Sequence, residues 1–299
     1  MSEIIIRTTN LQKRYHKTTA LHNLSFEIAE NSITGLIGRN GSGKTTLMKI
    51  LSGQLNITEG EATVLSESPM DHIPVLQNII YSYHNFPYHK NLNLSTILQN
   101  YQGMFPNFDI VFANRLMKYF ELKPGMKYKS LSQGMGSIFN FLTALSCRCK
   151  LTMLDEPVLG MDITVRRAAY DILMRDYMEN PRTFIISSHL FNELEGVLSD
   201  VLLIDQGNIL LHDNVDRIRN SAYRIDGEIE TIKKLCKNKT VIECQNRPLQ
   251  SYAILYEPIT DQIQRECMKF GVTLSSVSVE DLYIYLTKQK KEEELTCLW

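Results

Sequence analysis

The feature that most constrains this chain is the segment Gly38-Arg39-Asn40-Gly41-Ser42-Gly43-Lys44-Thr45, which fills the pattern G-x-x-x-x-G-K-[ST]. It follows the apolar run Ile33 to Ile37 and precedes Thr46 and a predicted helix. Glycines in such a loop let backbone N–H groups point at a polyphosphate, and the helix dipole adds positive potential. We predict that Lys44 holds the β and γ phosphates and that Thr45 offers a hydroxyl to Mg²⁺. The alternative is a glycine-rich turn that binds nothing.

Length and composition limit the class of protein. The chain has 299 residues, of which 43% are hydrophobic, enough for one large or two ordinary domains. Its formal net charge of −1 gives no global attraction to nucleic acid or to an acidic membrane surface. Its six cysteines contain no C-x-x-C pair, which argues against a zinc site and against a disulfide framework.

One uncharged stretch raises the question of a membrane span. Residues 130–147 carry no charge, but they include Gln133, Asn140, Thr143 and several serines, so we reject a spanning helix. The first residues also lack the long apolar region of a signal peptide. We therefore expect a soluble chain without direct membrane insertion, whose membrane contact is made through a partner.

The order of patterns predicts an α/β nucleotide domain over residues 1–215. Short β-type runs before the glycine-rich loop and after it predict an antiparallel β layer. Helical periodicity over about 84–150 predicts an inserted helical subdomain. Later strands alternate with helices, which predicts a mainly parallel sheet with its ligand at the carboxyl ends of the strands. Residues 216–299 predict a small α+β accessory domain, in which the charged segment 288–294 reads as a disordered tail.

A pair of carboxylates stands at the end of one predicted strand. Asp155 and Glu156 follow the apolar run Leu151 to Leu154. Because the chain turns at a strand end, one carboxylate can reach Mg²⁺ while the next orients the attacking water. We predict that Asp155 is the Mg²⁺-side ligand, directly or through water, and that Glu156 is the general base. An Asp-Glu pair alone is weak evidence, but it is strong in a chain that has a phosphate loop.

A third segment indicates the family. Leu131-Ser132-Gln133-Gly134-Met135, about twenty residues before Asp155, resembles the L-S-G-G-Q signature of ATP-binding-cassette (ABC) ATPases. The segment keeps the leucine, the serine and the second glycine and departs at the other two positions. A serine helix cap is the alternative interpretation. The resemblance covers residues 4 to about 215 and implies a P-loop NTPase core of the ABC ATPase type with bound ATP and Mg²⁺.

The resemblance also implies tasks for further residues. Tyr15 stands where the family places an aromatic ring that stacks on adenine, although an ordinary strand tyrosine is the alternative. Asp162 matches the acid of the loop after the catalytic glutamate, and His189 matches the switch histidine that contacts the γ phosphate. In this family two cassettes enclose two ATP molecules, so Ser132 and Gly134 are expected to act on the ATP of a partner cassette, in a homodimer or a heterodimer.

One expected family residue is replaced. The family places a glutamine after a strand between the loop and the signature, where it contacts Mg²⁺ and senses the membrane partner. Alignment puts His84 at this position, with Gln77 as the alternative register. Histidine accepts a hydrogen bond from a metal-bound water, but it is a poorer Mg²⁺ ligand than an oxygen donor.

Within this family, the chain most resembles ATPase subunits of bacterial exporters for antimicrobial peptides, bacitracin-type drugs or phenol-soluble modulins. Residues 278–283 resemble the terminal S-x-E-D-x-[FY] of that group. This implies a separate transmembrane permease subunit, location at the inner face of the cell membrane, and no nucleic-acid partner. An importer ATPase remains the alternative inside the family, and a ribosome- or DNA-directed ABC ATPase or an ATP-binding scaffold remains outside it.

Overall fold

The computed structural model describes residues 3–70, 72–84, 86–89, 91–188, 191–237, 239–246 and 251–296, with side chains up to residue 287. The chain divides into two compact units, Met1–His212 and Asp213–Trp299. Each unit has its own hydrophobic core, and the two are described separately.

The strands of the first unit form two sheets. In chain order they are β1 (Ile4–Tyr15), β2 (Thr18–Ala29), β3 (Ile33–Ile37), β4 (Glu59–Val64), β5 (Ile79–Tyr83), β6 (Leu151–Asp155), β7 (Thr183–Ser188), β8 (Asp200–Asp205) and β9 (Asn208–Asn214). One sheet is three-stranded, in the order β2-β1-β4, with antiparallel pairs. The other is six-stranded, in the order β5-β6-β7-β3-β8-β9, and its strands from β5 to β8 pair in parallel.

The helices of the first unit connect these strands. They are α1 (Lys44–Leu51), α2 (Ile73–Leu76), α3 (Leu94–Met104), α4 (Ile110–Tyr119), α5 (Gln133–Ser146), α6 (Ile163–Glu179) and α7 (Phe191–Leu194), with a 3₁₀ turn at Tyr128–Ser130. Side chains of α1 share one buried cluster with strands of both sheets, so this helix lies between the two layers. The predicted architecture, a mainly parallel sheet with an antiparallel layer and an inserted group of helices, is confirmed.

The second unit is a small α+β domain. Its elements are α8 (Val215–Asn220), β10 (Tyr223–Gly227), α9 (Ile229–Leu235), β11 (Val241–Gln245), β12 (Ser251–Leu255), α10 (Asp261–Lys269), β13 (Thr273–Ser276) and α11 (Val279–Thr296). From β10 to β13 they follow a βαββαβ order in an antiparallel sheet arranged β11-β12-β10-β13, which is a ferredoxin-like arrangement. The α+β prediction for this part of the chain is confirmed.

One prediction for the second unit is wrong. The charged segment 288–294, for which the sequence predicts disorder, continues α11. Lysine, glutamate and glutamine are strong helix formers, so a charged run can extend a helix that is already nucleated.

A buried ion cluster joins three elements of the first unit. Asp176 on α6 has a side chain only 2% exposed, and its two oxygens accept hydrogen bonds from Arg148, just after α5, and from Arg182, just before β7. The Arg182 Nη2–Asp176 Oδ2 distance is 2.6 Å, and Nη2 also donates to the Leu145 carbonyl. This cluster holds the ends of two helices against the start of a central strand.

We predict that Asp176→Ala lowers the free energy of unfolding of the first unit by about 3–5 kcal/mol, because it leaves a buried guanidinium unpaired. The measurement is calorimetry of the full-length chain, which follows the first unit's transition. Glu27→Ala is the control, since Glu27 and Arg7 form a solvent-exposed pair at 2.7 Å whose loss should cost about 0–1 kcal/mol. Equal shifts in the two variants would contradict a structural task for the buried cluster.

Candidate active site

The glycine-rich loop joins the end of β3 to the start of α1. Gly38 is buried directly after β3, Asn40 and Gly41 are exposed, and Thr46 is half-buried in the first turn of α1. Gly43 has a φ of 110° and precedes the first residue of the helix. A Cβ at Gly43 would lie 2.9 Å from the Ala20 carbonyl, so the loop requires glycine there for both conformation and space.

Two polar side chains of this loop are buried. Lys44 is 6% exposed, and its Nζ donates to the carbonyls of Gly38 at 2.6 Å and Arg39 at 3.2 Å. Burial lowers the pKa of Lys44, while the nearby carboxylates of Glu156 and Asp155 oppose this shift. Ser42 is 3% exposed, and its hydroxyl has no hydrogen-bond partner among the described residues. The loop therefore presents a buried cation and an unsatisfied hydroxyl beside exposed backbone.

The Asp155 carboxylate is the meeting point of the site. It ends β6, is 7% exposed, and accepts a hydrogen bond on Oδ2 from the Thr45 hydroxyl at 2.8 Å. The Tyr81 hydroxyl donates to the same oxygen at 2.9 Å, and the Ser187 hydroxyl donates to Oδ1. Burial and the neighbouring Asp155 charge raise the pKa of Tyr81, so its hydroxyl stays protonated and can donate.

Glu156 begins the turn away from the sheet. Its φ is 50°, which is a left-handed conformation and is uncommon for a residue other than glycine. Its backbone N–H donates to the carbonyl and the hydroxyl of Ser187, at 3.3 and 3.1 Å. Because β6 ends at Asp155 and the chain turns at Glu156, the two adjacent carboxylates need not point to opposite faces of the sheet.

The residues predicted from the signature and its following loop have capping and packing contacts. The Ser132 hydroxyl caps α5 by accepting from the Met135 N–H at 3.3 Å, and Asp162 caps α6 by accepting from the N–H groups of residues 164 and 165. A Cβ at Gly134 would lie 2.5 Å from the Gly160 carbonyl, so α5 approaches the loop before α6 closely. Tyr15 ends β1 with its ring 42% exposed and the Lys13 Nζ 5.2 Å from the ring centre.

His84 follows the last residue of β5 and contacts α5. Its Nδ1 lies 3.3 Å from the Ser137 hydroxyl, which donates to the Leu159 carbonyl at 2.7 Å. A hydroxyl has one proton, so the Ser137 oxygen must accept, and His84 Nδ1 must carry the hydrogen. In the neutral form of the ring, Nε2 is then the acceptor nitrogen. His84, Asp155 and Glu156 line one small cavity.

Two other positions named from the sequence remain to be placed. Gln77, the alternative to His84, caps the C-terminus of α2 before β5 begins, at the opposite end of that strand, so the alternative register is wrong. His189 lies outside the described residues.

Sequence reasoning missed three side chains that the structure brings into the site. Tyr81 lies within the apolar run of β5, Ser187 is next to last in β7, and Ser137 is on α5. A polar residue at the end of an apolar strand is a usable signal for Ser187. Tyr81 carries no such signal, since an aromatic residue in a buried strand also suits the core.

Other features of the described part of the chain bear on ligands. No three histidine, cysteine, aspartate or glutamate side chains within it converge as a metal-binding group. Its five cysteines are free thiols. None of its helices combines the length and apolar character needed to cross a bilayer.

Comparison with known proteins agrees with this geometry. Residues 21–159 match the family model described as ABC transporter. The chain is 25% identical over 267 residues to the ABC transporter ATP-binding protein YtrB of Bacillus subtilis, covering 89% of this chain and 90% of YtrB. It is 26% identical to the bacitracin transport ATP-binding protein BcrA of Enterococcus faecalis, covering 96% of both. The zinc uptake system ATP-binding protein ZurA of Listeria monocytogenes is 25% identical, covering 82% of this chain and 99% of ZurA.

Solved structures show the same fold. The ATP-binding cassette MJ0796, solved as a dimer in a post-hydrolysis state with ADP and Pi, superposes with a TM-score of 0.63 at 18% identity. The match covers 70% of this chain and 98% of the cassette. The predicted ABC ATPase fold is therefore confirmed.

We predict that the neutral form of His84 carries its hydrogen on Nδ1, because Ser137 donates its own proton to the Leu159 carbonyl. The measurement is long-range ¹H–¹⁵N NMR on protein labelled at histidine, with His84 assigned from the spectrum of His84→Gln. In Ser137→Ala the acceptor is removed, so the hydrogen should redistribute toward Nε2. A parent ring with hydrogen on Nε2 would contradict the assigned direction of the His84–Ser137 hydrogen bond.

Proposed function

We propose that this chain, whose residues 21–159 match the ABC transporter family model, is an ATP-binding subunit that hydrolyses ATP to drive export through a separate transmembrane subunit. The proposed cargo class is peptides, toxins or drugs. The observation that carries the ATPase part is the 2.8 Å hydrogen bond from the Thr45 hydroxyl to the Asp155 carboxylate. It brings the first turn of the loop helix and the end of β6 to one point.

The fit of a nucleoside triphosphate is supported by the loop itself. The N-terminus of α1 and the left-handed Gly43 form an anion-binding concavity, and the buried Ser42 hydroxyl lacks a partner among the described side chains and backbone groups. Lys44 stands in the same loop as a buried cation and would neutralise the β and γ phosphates. Tyr15 is proposed to stack on adenine, for which its exposed ring is suited.

Mg²⁺ fits the oxygen donors at Asp155 and Thr45, because hard cations prefer carboxylate and hydroxyl oxygens together with phosphate. When bound, it neutralises developing charge on the phosphoryl oxygens. His84 Nε2 is suited to accept a hydrogen bond from a water of that cation rather than to bind it. His84 is therefore proposed to contact the cation through a water molecule and not as a direct ligand.

Glu156 is the proposed general base. It would orient the attacking water and accept its proton at the carboxylate while Lys44 balances charge on the transferred phosphate. The Ser187 contacts to the Glu156 N–H fix the backbone from which this side chain extends. His189 is proposed to contact the γ phosphate, from its place after β7.

The proposed assembly has two cassettes. Ser132 and Gly134 would act on the ATP of the partner cassette, and Asp162 would lie in the loop between the two sites. The dimer of the MJ0796 cassette supports this arrangement by analogy of fold. Whether the second cassette is another copy or a different chain is left to the capture experiment below.

We place the chain at the inner face of the cell membrane and propose export as the direction of transport. BcrA is named for bacitracin transport, and it matches 96% of this chain, including the second unit. The second unit is α+β, whereas importer ATPases often carry a β-barrel-like regulatory domain there. ZurA is named for zinc uptake, so import by this chain is the competing outcome.

We predict that Lys44→Ala abolishes ATP binding, because the phosphates lose their buried counter-charge. Glu156→Gln should bind ATP normally and lower turnover by about 100-fold or more, as expected for removal of a general base. Binding is measured with a fluorescent ATP analogue and turnover by phosphate release. Glu67→Gln is the control, since Glu67 is exposed and pairs through its backbone with Val64 across the turn after β4. Unchanged turnover in Glu156→Gln would remove it from the base assignment.

We predict that tagged Glu156→Gln captures a polytopic membrane protein in near-equal amount from solubilised membranes of the native host with Mg·ATP, detected by mass spectrometry. Mass spectrometry of the same eluate also identifies the second cassette. The cassette with Glu156 intact is then purified with the partner so identified and placed in vesicles with the cassettes outside. ATP-driven accumulation of labelled bacitracin inside these vesicles supports export. ATP-driven loss of preloaded zinc from them supports import, and ribosomal proteins without a membrane partner would overturn transport.

A further inference from the structure

We propose that Tyr81 is a positioning residue for the cation site: its hydroxyl fixes the orientation of the Asp155 carboxylate. The inference rests on the proposed ATPase function and extends it to a residue outside the loop, the strand-end carboxylates and the signature. It assigns a chemical task to a side chain that the sequence presents as ordinary core.

The contact is direct and enclosed. Tyr81 is 4% exposed and Asp155 is 7% exposed, and the hydroxyl donates to Oδ2 at 2.9 Å. The same oxygen accepts from Thr45, while Oδ1 accepts from Ser187. Donors on both oxygens leave the carboxylate little freedom to rotate about its Cβ–Cγ bond.

The register of the sheet shows how far the Tyr81 side chain reaches to make this contact. On β5 and β6, Tyr83 lies beside Asp155 and Tyr81 lies beside Met153. The Tyr81 side chain therefore reaches two residue pairs along the sheet to bring its hydroxyl to the carboxylate. Its ring centre lies 5.0 Å from that of Tyr83, and the ring belongs to the buried cluster around α1.

The hydrogen-bond donors to Asp155 are of two kinds, one on the loop helix and two on the central sheet. Thr45 lies on the loop helix and is itself proposed to turn its hydroxyl oxygen toward the cation. The Tyr81 hydroxyl makes no other hydrogen bond among the described residues, and its residue lies within the central sheet. When Thr45 serves the cation, Tyr81 and Ser187 remain to hold the carboxylate in place.

A purely structural assignment makes a different prediction. If the ring only fills the core, Tyr81→Phe keeps that volume and should leave cation affinity unchanged. If the hydroxyl positions Asp155, the same variant should weaken cation binding while the fold and the metal-free binding of ATP persist. Loss of a residue that orients a metal ligand typically lowers metal affinity by about 10–100-fold.

The experiment uses the full chain in the Glu156→Gln background, so that nucleotide is retained without turnover. Mn²⁺ replaces Mg²⁺ as the probe, and its binding to the ATP-loaded protein is titrated by electron paramagnetic resonance of the free ion. We expect Tyr81→Phe to weaken Mn²⁺ binding by about 10-fold. ATP binding in EDTA and the calorimetric transition of the first unit should match those of the Glu156→Gln protein.

Two controls make the result specific to the hydroxyl. Tyr83→Phe removes the hydroxyl of the neighbouring ring, which makes no hydrogen bond within the described part of the chain, and should leave Mn²⁺ affinity unchanged. Incorporation of para-aminophenylalanine at position 81 restores a donor and should recover most of the affinity.

Each contrary result is decisive. Unchanged Mn²⁺ affinity in Tyr81→Phe, an equal loss in Tyr83→Phe, or unfolding of the first unit would overturn the positioning assignment and leave the ATPase proposal intact. Failure of the Glu156→Gln protein to bind ATP at all would overturn both.

Discussion

The site depends on one constraint: the charge of a buried carboxylate must be stabilised by hydrogen bonds. Asp155 lies at the end of a central strand with 7% of its surface exposed, where an unpaired charge would cost several kcal/mol. Its donors come from three separate elements, Thr45 on α1, Tyr81 on β5 and Ser187 on β7. Because β5 and β7 flank β6, the strand order itself supplies a donor on each side. The fold and the charge therefore stabilise each other.

The same end of the sheet connects the site to the inserted helices. The Asn140 amide on α5 donates to the Tyr83 carbonyl at 3.1 Å, and Ser137 bridges His84 to the Leu159 carbonyl. A movement of α5 must therefore move the end of β5 and the loop after β6, or break these hydrogen bonds. These contacts give a physical basis for coupling between α5 and the carboxylates. His84 contacts Ser137 on α5 and lines the same cavity as Asp155 and Glu156.

Sequence reasoning recovered what depends on short-range spacing. The loop from Gly38 to Thr45 and the Asp155-Glu156 pair have local patterns, and the alternation of strands and helices predicted the parallel sheet. Tyr81 and Ser137 could not be found in this way, because their contacts depend on which strand lies beside β6 and how closely α5 approaches it. Spacing does not encode strand order. The helix over residues 288–294 was missed for another reason, since charge composition was weighed above helix propensity.

The segment that departs from the L-S-G-G-Q pattern packs closely against the loop before α6. Gly134 has no room for a Cβ because the Gly160 carbonyl lies close to it, so this glycine is required by packing within the chain as well as by the proposed contact with a partner's ATP. Gly160 in turn has a φ of 79°, and a Cβ there would lie 2.8 Å from the Gln133 side chain. The glutamine that replaces the family's first signature glycine thus occupies the space above Gly160. Both residues are exposed, so this contact lies at the surface, and a larger residue at position 160 would have to displace the Gln133 side chain as well as adopt a positive φ.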